Sequence, residues 1–264
     1  MSSLYYMKKR YKMNPLAFTF DHGFETEDAL RNIKTAVDIL GVDFLYFKSD
    51  YMKEMFTDIV KSGSDAVICH PCSIWYIQLA FDIAARYKIP LIIAGWTQGQ
   101  SSRYPIATKC SPNSDHKEFE KMGQATKNFL KEYIPLHPKY KGFPKTMKEA
   151  LKRASRKHKA RILSPHWFLR EDPEDYVKLI QKELKWEFPK QSYPAKSTNC
   201  YLNFLSVDNS IKHFGYTHYH VEMSKLIRAG LLPRKEALEA LKLNYSEDLL
   251  NRVKEQLGIT KEKK

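Results

Sequence analysis

Two cysteines stand three positions apart in the segment 65–76, which reads DAVICHPCSIWY. Cys69 and Cys72 follow a short apolar run and precede a segment with the periodicity of a helix. Thiolates at this spacing can bind iron or zinc from a turn and the start of a helix. The same spacing occurs in redox pairs, and cysteines without a disulfide also pack in cores as small apolar side chains. The spacing of Cys69 and Cys72 alone does not decide between metal binding, redox chemistry and a structural role.

Length and composition narrow these alternatives. The chain has 264 residues, 43% of them hydrophobic and four of them cysteine, so it can bury a substantial core and is not a secreted disulfide scaffold. Its longest apolar runs, such as IPLIIAGW at 89–96, are shorter than a membrane span, and the N-terminal segment lacks the pattern of a cleaved leader. We therefore expect a globular cytoplasmic protein that has no membrane partner. In that reducing compartment, a Cys-x-x-Cys pair favours metal or redox chemistry.

The charge of the chain is strongly positive and unevenly distributed. The formal net charge is +14, which favours phosphate-rich partners or nucleic acid. Between Lys145 and Arg161 the sequence has eight Lys or Arg residues and one Glu, while Met147, Ala150, Leu151, Ala154 and His158 recur at helical spacing. The pattern predicts an amphipathic basic helix. Its charged side is either an ordinary solvated face or a surface for RNA or a nucleotide.

The first third of the chain alternates apolar strands with helices. Predicted strands cover PLAFTF at 15–20, VDFLYFK at 42–48 and IPLIIAGW at 89–96. The helices between them include 25–41, which ends at Gly41, and 72–87. Strands with few polar residues that are separated by helices indicate a parallel sheet covered on both faces. The sequence therefore predicts an α/β fold for this part of the chain.

The rest of the chain is predicted to be mostly helical. A long polar loop follows Gly95, over the carboxyl ends of the strands where open α/β sheets bind ligands. The segment that starts at Arg161 could form one more strand, and Asp172 is predicted to cap a helix that begins with Pro173. We divide the chain into an α/β domain at 1–110, a helical insertion at 111–172 and a helical C-terminal region at 173–264.

Four segments carry a resemblance to a known superfamily. They are TFDHGF at 19–24, ETEDALRNIKTAVDILGVD at 25–43, CHPCSIWYIQLAFDIAARYKIPLIIAG at 69–95, and FGYTHYHVEMSKLIRAGLLPRKEALEAL at 214–241. Together with the order of elements, they resemble the PP-loop ATP pyrophosphatases, in the branch of N-acetyl sugar amidotransferases and tRNA-thiolation enzymes. The resemblance implies a Rossmann-like (HUP-type) parallel sheet. It also implies an enzyme that activates its substrate as an adenylate with ATP and then transfers nitrogen or sulfur to it.

The sequence departs from the family at one signature motif. The family has a Ser-Gly-Gly-x-Asp-Ser loop between its first strand and first helix, whose backbone amides bind the pyrophosphate of ATP. Here the sequence starts MSSLYYMKKRY, so that Ser2 or Ser3 corresponds to the last serine of the loop. Either the start site is displaced or the chain is a degenerate member, and as written we do not expect it to hydrolyse ATP. Without the first strand, neighbouring strands would have bare edges, which favours homodimers.

The resemblance also implies positions for the nucleotide. Thr19, Phe20, Asp21 and Gly23 correspond to residues against the adenine, although Asp-His-Gly after a strand is equally typical of a simple turn. Gly95, Thr97, Gln98 and Arg103 correspond to the wall for the triphosphate or the acyl acceptor. Arg103 is either an anion ligand or a surface cation.

In the tRNA-thiolation enzymes, a Cys-x-x-Cys pair and a distant third cysteine hold a 4Fe-4S cluster, and Cys69, Cys72 and Cys200 correspond to them. A zinc site with Cys110 as a further ligand is an alternative, as are four structural thiols or a redox pair. The substrate is then a small molecule such as a sugar, or a tRNA. The alternative to an enzyme is a non-catalytic protein of the same fold that binds a nucleotide or RNA.

Two sets of residues are predicted to have structural roles. Glu25, Glu27 and Asp28 have the pattern of acids in the first turn of a helix, where they stabilise its N-terminus. Three histidines, His213, His218 and His220, are predicted to be surface or packing residues.

Overall fold

A computed structural model describes residues 1–96, 117–169, 173–194, 197 and 200–259. Several sequence predictions lie outside these residues. They concern Thr97, Gln98, Arg103, Cys110 and Asp172.

Four short strands form two separate parallel pairs. Strand β1 (Ala17–Asp21) pairs with β2 (Phe44–Lys48), with Ala17 opposite Phe44 and Asp21 opposite Lys48. Strand β3 (Leu91–Ile93) pairs with β4 (Arg161–Leu163), which confirms the additional strand predicted near Arg161. The mixed α/β class and the parallel pairing are as predicted. Within the described part of the chain, each sheet has two strands.

Helices connect and follow these strands. The α-helices are α1 Ser2–Tyr5, α2 Glu27–Leu40, α3 Lys53–Lys61, α4 Cys69–Arg86, α5 Lys117–Leu136, α6 Met147–Lys157, α7 Pro173–Leu184, α8 Leu202–Phe214, α9 His218–Arg228, α10 Arg234–Ala240 and α11 Glu247–Gln256. A π-helical segment at Tyr6–Arg10 continues α1, and short 3-10 turns lie at Pro138–Tyr140 and Pro165–Trp167. No helix in the described ranges is both long and apolar enough to cross a membrane.

Helix α2 ends as predicted but begins two residues later than predicted, at Glu27. The side chain of Thr26 accepts a hydrogen bond from the amide of Ala29 at 3.2 Å, which satisfies one of the unpaired donors at the helix start. Gly41 ends the helix in the left-handed conformation, with φ of 56°. Glu27 and Asp28 lie in the first turn, as predicted, whereas Glu25 lies before the cap. The prediction of a first-turn role is therefore wrong for Glu25.

Helix α4 begins three residues earlier than predicted, so that both Cys69 and Cys72 belong to its first turn. The apolar residues before it, Ala66 to Ile68, are fully buried but form no strand. The amide of Val67 instead donates to the hydroxyl of Thr126 on α5, at 3.0 Å. The hydroxyl of Thr126 thus accepts from a backbone amide that, in a sheet, would donate to a neighbouring strand.

The largest core cluster joins distant parts of the chain. Phe20 and Phe24 from the region of β1 pack in it with Leu130 of α5, Leu202 of α8 and Val253 of α11. Its members come from all three of the regions into which the sequence was divided. The carboxyl end of β1 is therefore held against elements from the middle and the end of the chain.

The predicted basic helix is α6. Ala150, Leu151 and Ala154 are buried on one face, and the Lys and Arg side chains occupy the exposed remainder. The helix packs against α4, where Leu151 and Ala154 form a core cluster with Ile77 and Phe81. The amphipathic pattern in the sequence is confirmed.

Candidate metal centre

The three cysteines that the sequence singles out come together. Cys69 and Cys72 lie at the start of α4, and Cys200 lies two residues before α8. Cys72 and Cys200 pack against the same core cluster, and the sulfur of Cys69 lies beside the side chain of Asn203, whose backbone amide donates to the carbonyl of Cys200 at 3.1 Å. Within the described residues, none of the three is in a disulfide. Three thiols thus lie in one region, although a long stretch of sequence separates the third from the first two.

Contacts between α4 and α8 hold this arrangement. The amide of Cys69 donates to the hydroxyl of Ser206 at 3.3 Å, and its sulfur lies 3.9 Å from the side-chain oxygen of Asn203. Asn203 is itself fixed, because its amide donates to the carbonyl oxygen of Tyr193 and its oxygen accepts from the Tyr219 hydroxyl, each at 2.9 Å. The position of the Cys-x-x-Cys segment is therefore set by the C-terminal helices.

Two further potential ligands lie at the same place. One nitrogen of His22, one carboxylate oxygen of Glu25 and the sulfur of Cys200 all lie within 4.8 Å of one another. Nε2 of His22 is 3.8 Å from Oε1 of Glu25. His22 follows directly after β1, and Glu25 occupies the loop between β1 and α2. Sequence reasoning missed both, and their position at the carboxyl end of a buried strand was the available signal.

The imidazole of His22 is buried and neutral. Its exposed fraction is 4%, and the rings of Phe20, Phe24 and Phe56 surround it at centroid distances of 6.1, 5.6 and 5.7 Å. Burial lowers the pKa of His22 from 6.5 to about 4. Its Nδ1 is buried and has no hydrogen-bond partner in the described part of the chain. A neutral imidazole is the form that binds metals.

The acidic donors are held in an environment that disfavours their charged forms. Burial, with the neighbouring charge of Asp21, raises the pKa of Glu25 from 4.5 to about 7. Burial also raises the pKa values of the Cys72 and Cys200 thiols, and Glu25 adds to both shifts. A bound cation reverses this balance, because it stabilises thiolates and a carboxylate at once.

Asp21 forms the turn that aims the next residues toward the cysteines. The amide of Gly23 donates to Asp21 Oδ1 at 2.7 Å, and Gly23 has φ of 89°, a conformation that glycine adopts without strain. The Tyr46 hydroxyl donates to Oδ2, and this bond raises the pKa of Tyr46 to about 12. Lys48 lies 3.9 Å from the same oxygen. These contacts support the turn interpretation of Asp-His-Gly.

A groove lies between the two sheets. It has a volume of about 650 Å³, and β1 and β3 line it with Ala17, Phe18, Thr19, Leu91, Ile92 and Ile93. Thr19 hydrogen-bonds the hydroxyl of Tyr76 at its wall. In contrast, Phe20 is only 2% exposed and belongs to the core. Of the predicted adenine contacts, Thr19 thus lines the groove, whereas Phe20 packs in the interior.

The predicted phosphate positions cluster beside this groove. The hydroxyl oxygens of Ser2 and Ser3 lie 3.3 and 3.2 Å from Nε2 of His166, and both serines are buried. A Cβ placed on Gly95 would lie 3.7 Å from the Ser3 hydroxyl. Three residues that the resemblance assigns to one site are therefore neighbours. His166, which the sequence did not single out, joins them.

The C-terminal histidines have structural contacts. Nδ1 of His220 pairs with the backbone amide of Thr217, which closes a reciprocal cap at the start of α9. His218 is buried, with its ring 4.0 Å from that of Tyr219. The predicted packing role of these two residues agrees with the structure.

No family model matches this chain. The chain is similar to an uncharacterized protein of Methanocaldococcus jannaschii, with 21% identity over 235 residues. The match covers 89% of this chain and 65% of the relative, so the chain spans less than two thirds of the relative's length.

Proposed function

We propose that this chain is the metal-binding α/β part of a PP-loop-type transferase that moves sulfur to a substrate activated by ATP. In this reaction a substrate oxygen attacks the α-phosphorus of ATP and pyrophosphate leaves. A hydrosulfide ion then attacks the activated carbon, and AMP leaves with the oxygen. Cys69, Cys72 and Cys200 would hold a 4Fe-4S cluster whose open iron would bind the hydrosulfide. Transfer of nitrogen from ammonia follows the same course and is the variant that the sugar-amidotransferase resemblance favours.

The observation that carries the proposal is the convergence of the three cysteines. Cys69 and Cys72 begin α4, Cys200 precedes α8, and Cys72 and Cys200 pack against the same core cluster. Cysteines that were merely small core residues would have no reason to gather in one place beside a buried imidazole and a carboxylate. Three thiolates in a cluster site leave one iron open to exogenous sulfide.

The groove supports the ATP-dependent part of the proposal. Met1, Ser3 and Leu4 line it together with β1 and β3. A further parallel strand in this groove would join the two pairs into a single Rossmann-like sheet and would lead directly into α1. Ser2, Ser3 and Gly95 then lie where a phosphate-binding loop would end. We propose that residues ahead of Met1 in a longer chain supply that strand and loop.

Iron and acid-labile sulfide in protein purified without oxygen test the proposal. We expect about four irons and four sulfides per chain, with an absorption band at about 400 nm. Cys200→Ala should lose most of the iron, and Cys110→Ala is the matched control that should keep it. Zinc in place of iron, with loss in both variants, would instead support the four-cysteine zinc site. Protein free of metal under all conditions would contradict the proposal.

The reading frame ahead of Met1 tests the ATP-dependent part separately. We expect it to encode an apolar strand followed by Ser-Gly-Gly-x-Asp-Ser, and the protein extended by it should release pyrophosphate from ATP. If the protein contains the cluster but has neither the loop nor this activity, the proposed metal centre would stand and the proposed transferase activity would be contradicted.

RNA binding is a second candidate function, favoured by the exposed face of α6. The exposed cations on this helix are Lys148, Lys152, Arg153, Arg156 and Lys157. Arg153 is bonded to Glu149 and to the carbonyl of Gly142, and Lys157 lies 3.8 Å from Asp82, so these two are partly neutralised. The other three have no acidic partner among the described ion pairs.

Titration with tRNA at several salt concentrations tests this function. Reversing the charges of Lys148, Lys152 and Arg156 should weaken binding by about tenfold or more and flatten its salt dependence. A matched reversal of three lysines away from α6 (Lys61, Lys127 and Lys131) should have a smaller effect. Equal loss in both triple variants would indicate that only net charge matters.

A further inference from the structure

The donor set beside the cysteines is wider than a three-thiolate site requires. His22, Glu25 and Cys200 present one nitrogen, one oxygen and one sulfur within 4.8 Å of one another. Metal–ligand bonds of about 2.0 to 2.3 Å in a tetrahedral zinc site place the ligand atoms about 3.3 to 3.8 Å apart. The distance between His22 Nε2 and Glu25 Oε1 is 3.8 Å, about 0.5 Å longer than for a nitrogen and an oxygen bound to one zinc ion. Bringing Cys200 Sγ from within 4.8 Å to ligand spacing requires a movement of about 1 Å.

Contacts outside the site hold this donor set in place. His22 is clamped by three phenylalanine rings and is 4% exposed. The loop that carries Glu25 is held at one end by the Asp21 turn and at the other by the Thr26 cap. Cys200 is adjacent to Tyr201, whose amide donates to the carbonyl of Phe24 at 2.8 Å. A backbone hydrogen bond thus joins the segment that carries His22 and Glu25 to the segment that carries Cys200.

We propose that His22 and Glu25 are ligands of the same metal centre as Cys200, so that the site binds a divalent transition metal ion through nitrogen, oxygen and sulfur. The sulfurs of Cys69 and Cys72 lie outside this group of three ligand atoms and would approach it as further thiolates when the metal binds. The mixture of imidazole, carboxylate and thiolate is typical of zinc, cobalt and iron(II) and disfavours magnesium and calcium, which take oxygen ligands. This inference rests on the proposed metal centre for its location and places a single ion there instead of a 4Fe-4S cluster, so the cysteines hold one or the other.

Titration of the metal-free protein with Co²⁺ tests the assignment, because its spectrum reports thiolate ligands and coordination number separately. We expect one Co²⁺ per chain with an intense thiolate charge-transfer band. Glu25→Gln and His22→Gln should weaken Co²⁺ binding by about tenfold or more each. They should also alter the d–d bands while the charge-transfer band persists, whereas Cys200→Ala should reduce the charge-transfer band itself.

Glu27→Gln is the matched control, since Glu27 is exposed in the first turn of α2 and lies two residues from Glu25. It should bind Co²⁺ as the wild type does. Circular dichroism of each metal-free variant identifies a His22 variant that fails to fold, and the more conservative Glu25→Gln then decides the assignment. A Glu25→Gln protein with wild-type affinity and d–d bands overturns the inference.

The two proposals fail in different ways. Iron and sulfide in the purified protein, combined with Co²⁺ binding that is insensitive to Glu25 and His22, would leave a three-cysteine cluster and overturn the mixed site. Co²⁺ binding that depends on Glu25, His22 and Cys200 in a protein that never takes up iron and sulfide would support the mixed site and contradict the cluster. Absence of Co²⁺ binding overturns the inference outright.

Discussion

Among the residues that the structure describes, two groups of side chains could hold a metal ion, and they differ in how far protein contacts already satisfy their polar atoms. The first is the buried group His22, Glu25 and Cys200, and the second is the surface group Glu54, Asp58 and His137. In both groups the ligand atoms lie within 4.8 Å of one another. Distance alone therefore does not separate a metal site from an ordinary cluster of acids and histidine.

Protein groups already bind the surface cluster. The Tyr133 hydroxyl donates to Asp58 at 2.7 Å, Lys139 lies 3.4 Å from Glu54, and Nδ1 of His137 donates to the carbonyl of Tyr133 at 2.8 Å. In the buried cluster, by contrast, burial disfavours the charged forms of Glu25 and of the Cys200 thiol. The comparison shows that an unmet need for positive charge, rather than proximity, marks the candidate metal centre.

The largest expected difference between the two clusters is the effect of a substitution on the affinity for Co²⁺. Cys200→Ala should weaken Co²⁺ binding by about 100-fold or more, because it removes a ligand rather than a supporting contact. Asp58→Asn should change Co²⁺ binding by less than about twofold, since its partners are already protein groups. Isothermal titration of the two variants beside the wild type measures both. Equal losses would contradict the distinction between the clusters.

Metal should also stabilise the fold through the buried cluster. Co²⁺ at 100 times its dissociation constant should add about 2.7 kcal/mol to the free energy of unfolding of the wild type, because it binds the folded state. Urea unfolding with and without Co²⁺ measures the increment. Glu54→Gln should retain the whole increment, and Cys200→Ala should lose most of it. An increment that disappears in Glu54→Gln would place the metal on the surface.

The pH dependence of the metal-free protein should distinguish His22 from Glu25. The pKa of His22 falls from 6.5 to about 4 on folding, so the unfolded state binds more protons in that window and stability rises with pH. The pKa of Glu25 rises from 4.5 to about 7, so the folded state binds more protons and stability falls as the pH rises. The two trends oppose each other between pH values of about 4.5 and 6.5.

Glu25→Gln should remove the fall of stability with pH that Glu25 causes and keep the rise that His22 causes. Its urea midpoint should therefore rise with pH more steeply than that of the wild type between about pH 4.5 and 6.5. Glu27→Gln should follow the wild type. A Glu25→Gln curve parallel to the wild-type curve would show that Glu25 does not titrate with the raised pKa.

The smallest expected effect concerns the surface cluster itself. Tyr133→Phe removes the hydrogen bond to Asp58 and should lower the free energy of unfolding by about 1 kcal/mol, with no change in Co²⁺ affinity. Chemical unfolding and Co²⁺ titration of the variant check both statements. Phe129→Leu, on the same helix, is a control for packing alone. A change in Co²⁺ affinity in Tyr133→Phe would link the surface cluster to metal binding.

Much of the local structure follows from the sequence. The apolar run at 15–20 overlaps β1, the runs at 42–48 and 89–96 contain β2 and β3, and Thr26 and Gly41 bound α2 as capping rules require. The start of α4 was predicted three residues too late. The apolar residues 66–68 before it are buried without forming a strand, and such a segment has no periodicity that marks where the helix begins. The separation into two sheets depends on which strands meet, which single-strand patterns do not encode.

The site was predictable in part. Convergence of Cys200 with the Cys-x-x-Cys pair was expected from the resemblance and not from spacing, because no local pattern links residues so far apart. Glu25 resembles Glu27 in sequence, and only the position of the Thr26 cap separates a first-turn acid from one that faces the cysteines. The sequence indicated only that His22 belongs to a turn. The three phenylalanine rings around it are brought together by tertiary packing, which has no local sequence pattern.

Anomalous X-ray diffraction from crystals of the metal-loaded protein tests the central claim most directly. We expect one strong peak within bonding distance of Cys200 Sγ, flanked by His22 and Glu25, with Cys69 and Cys72 on its other side. A peak between Glu54, Asp58 and His137, or the absence of a peak from protein known to contain metal in solution, would contradict the account.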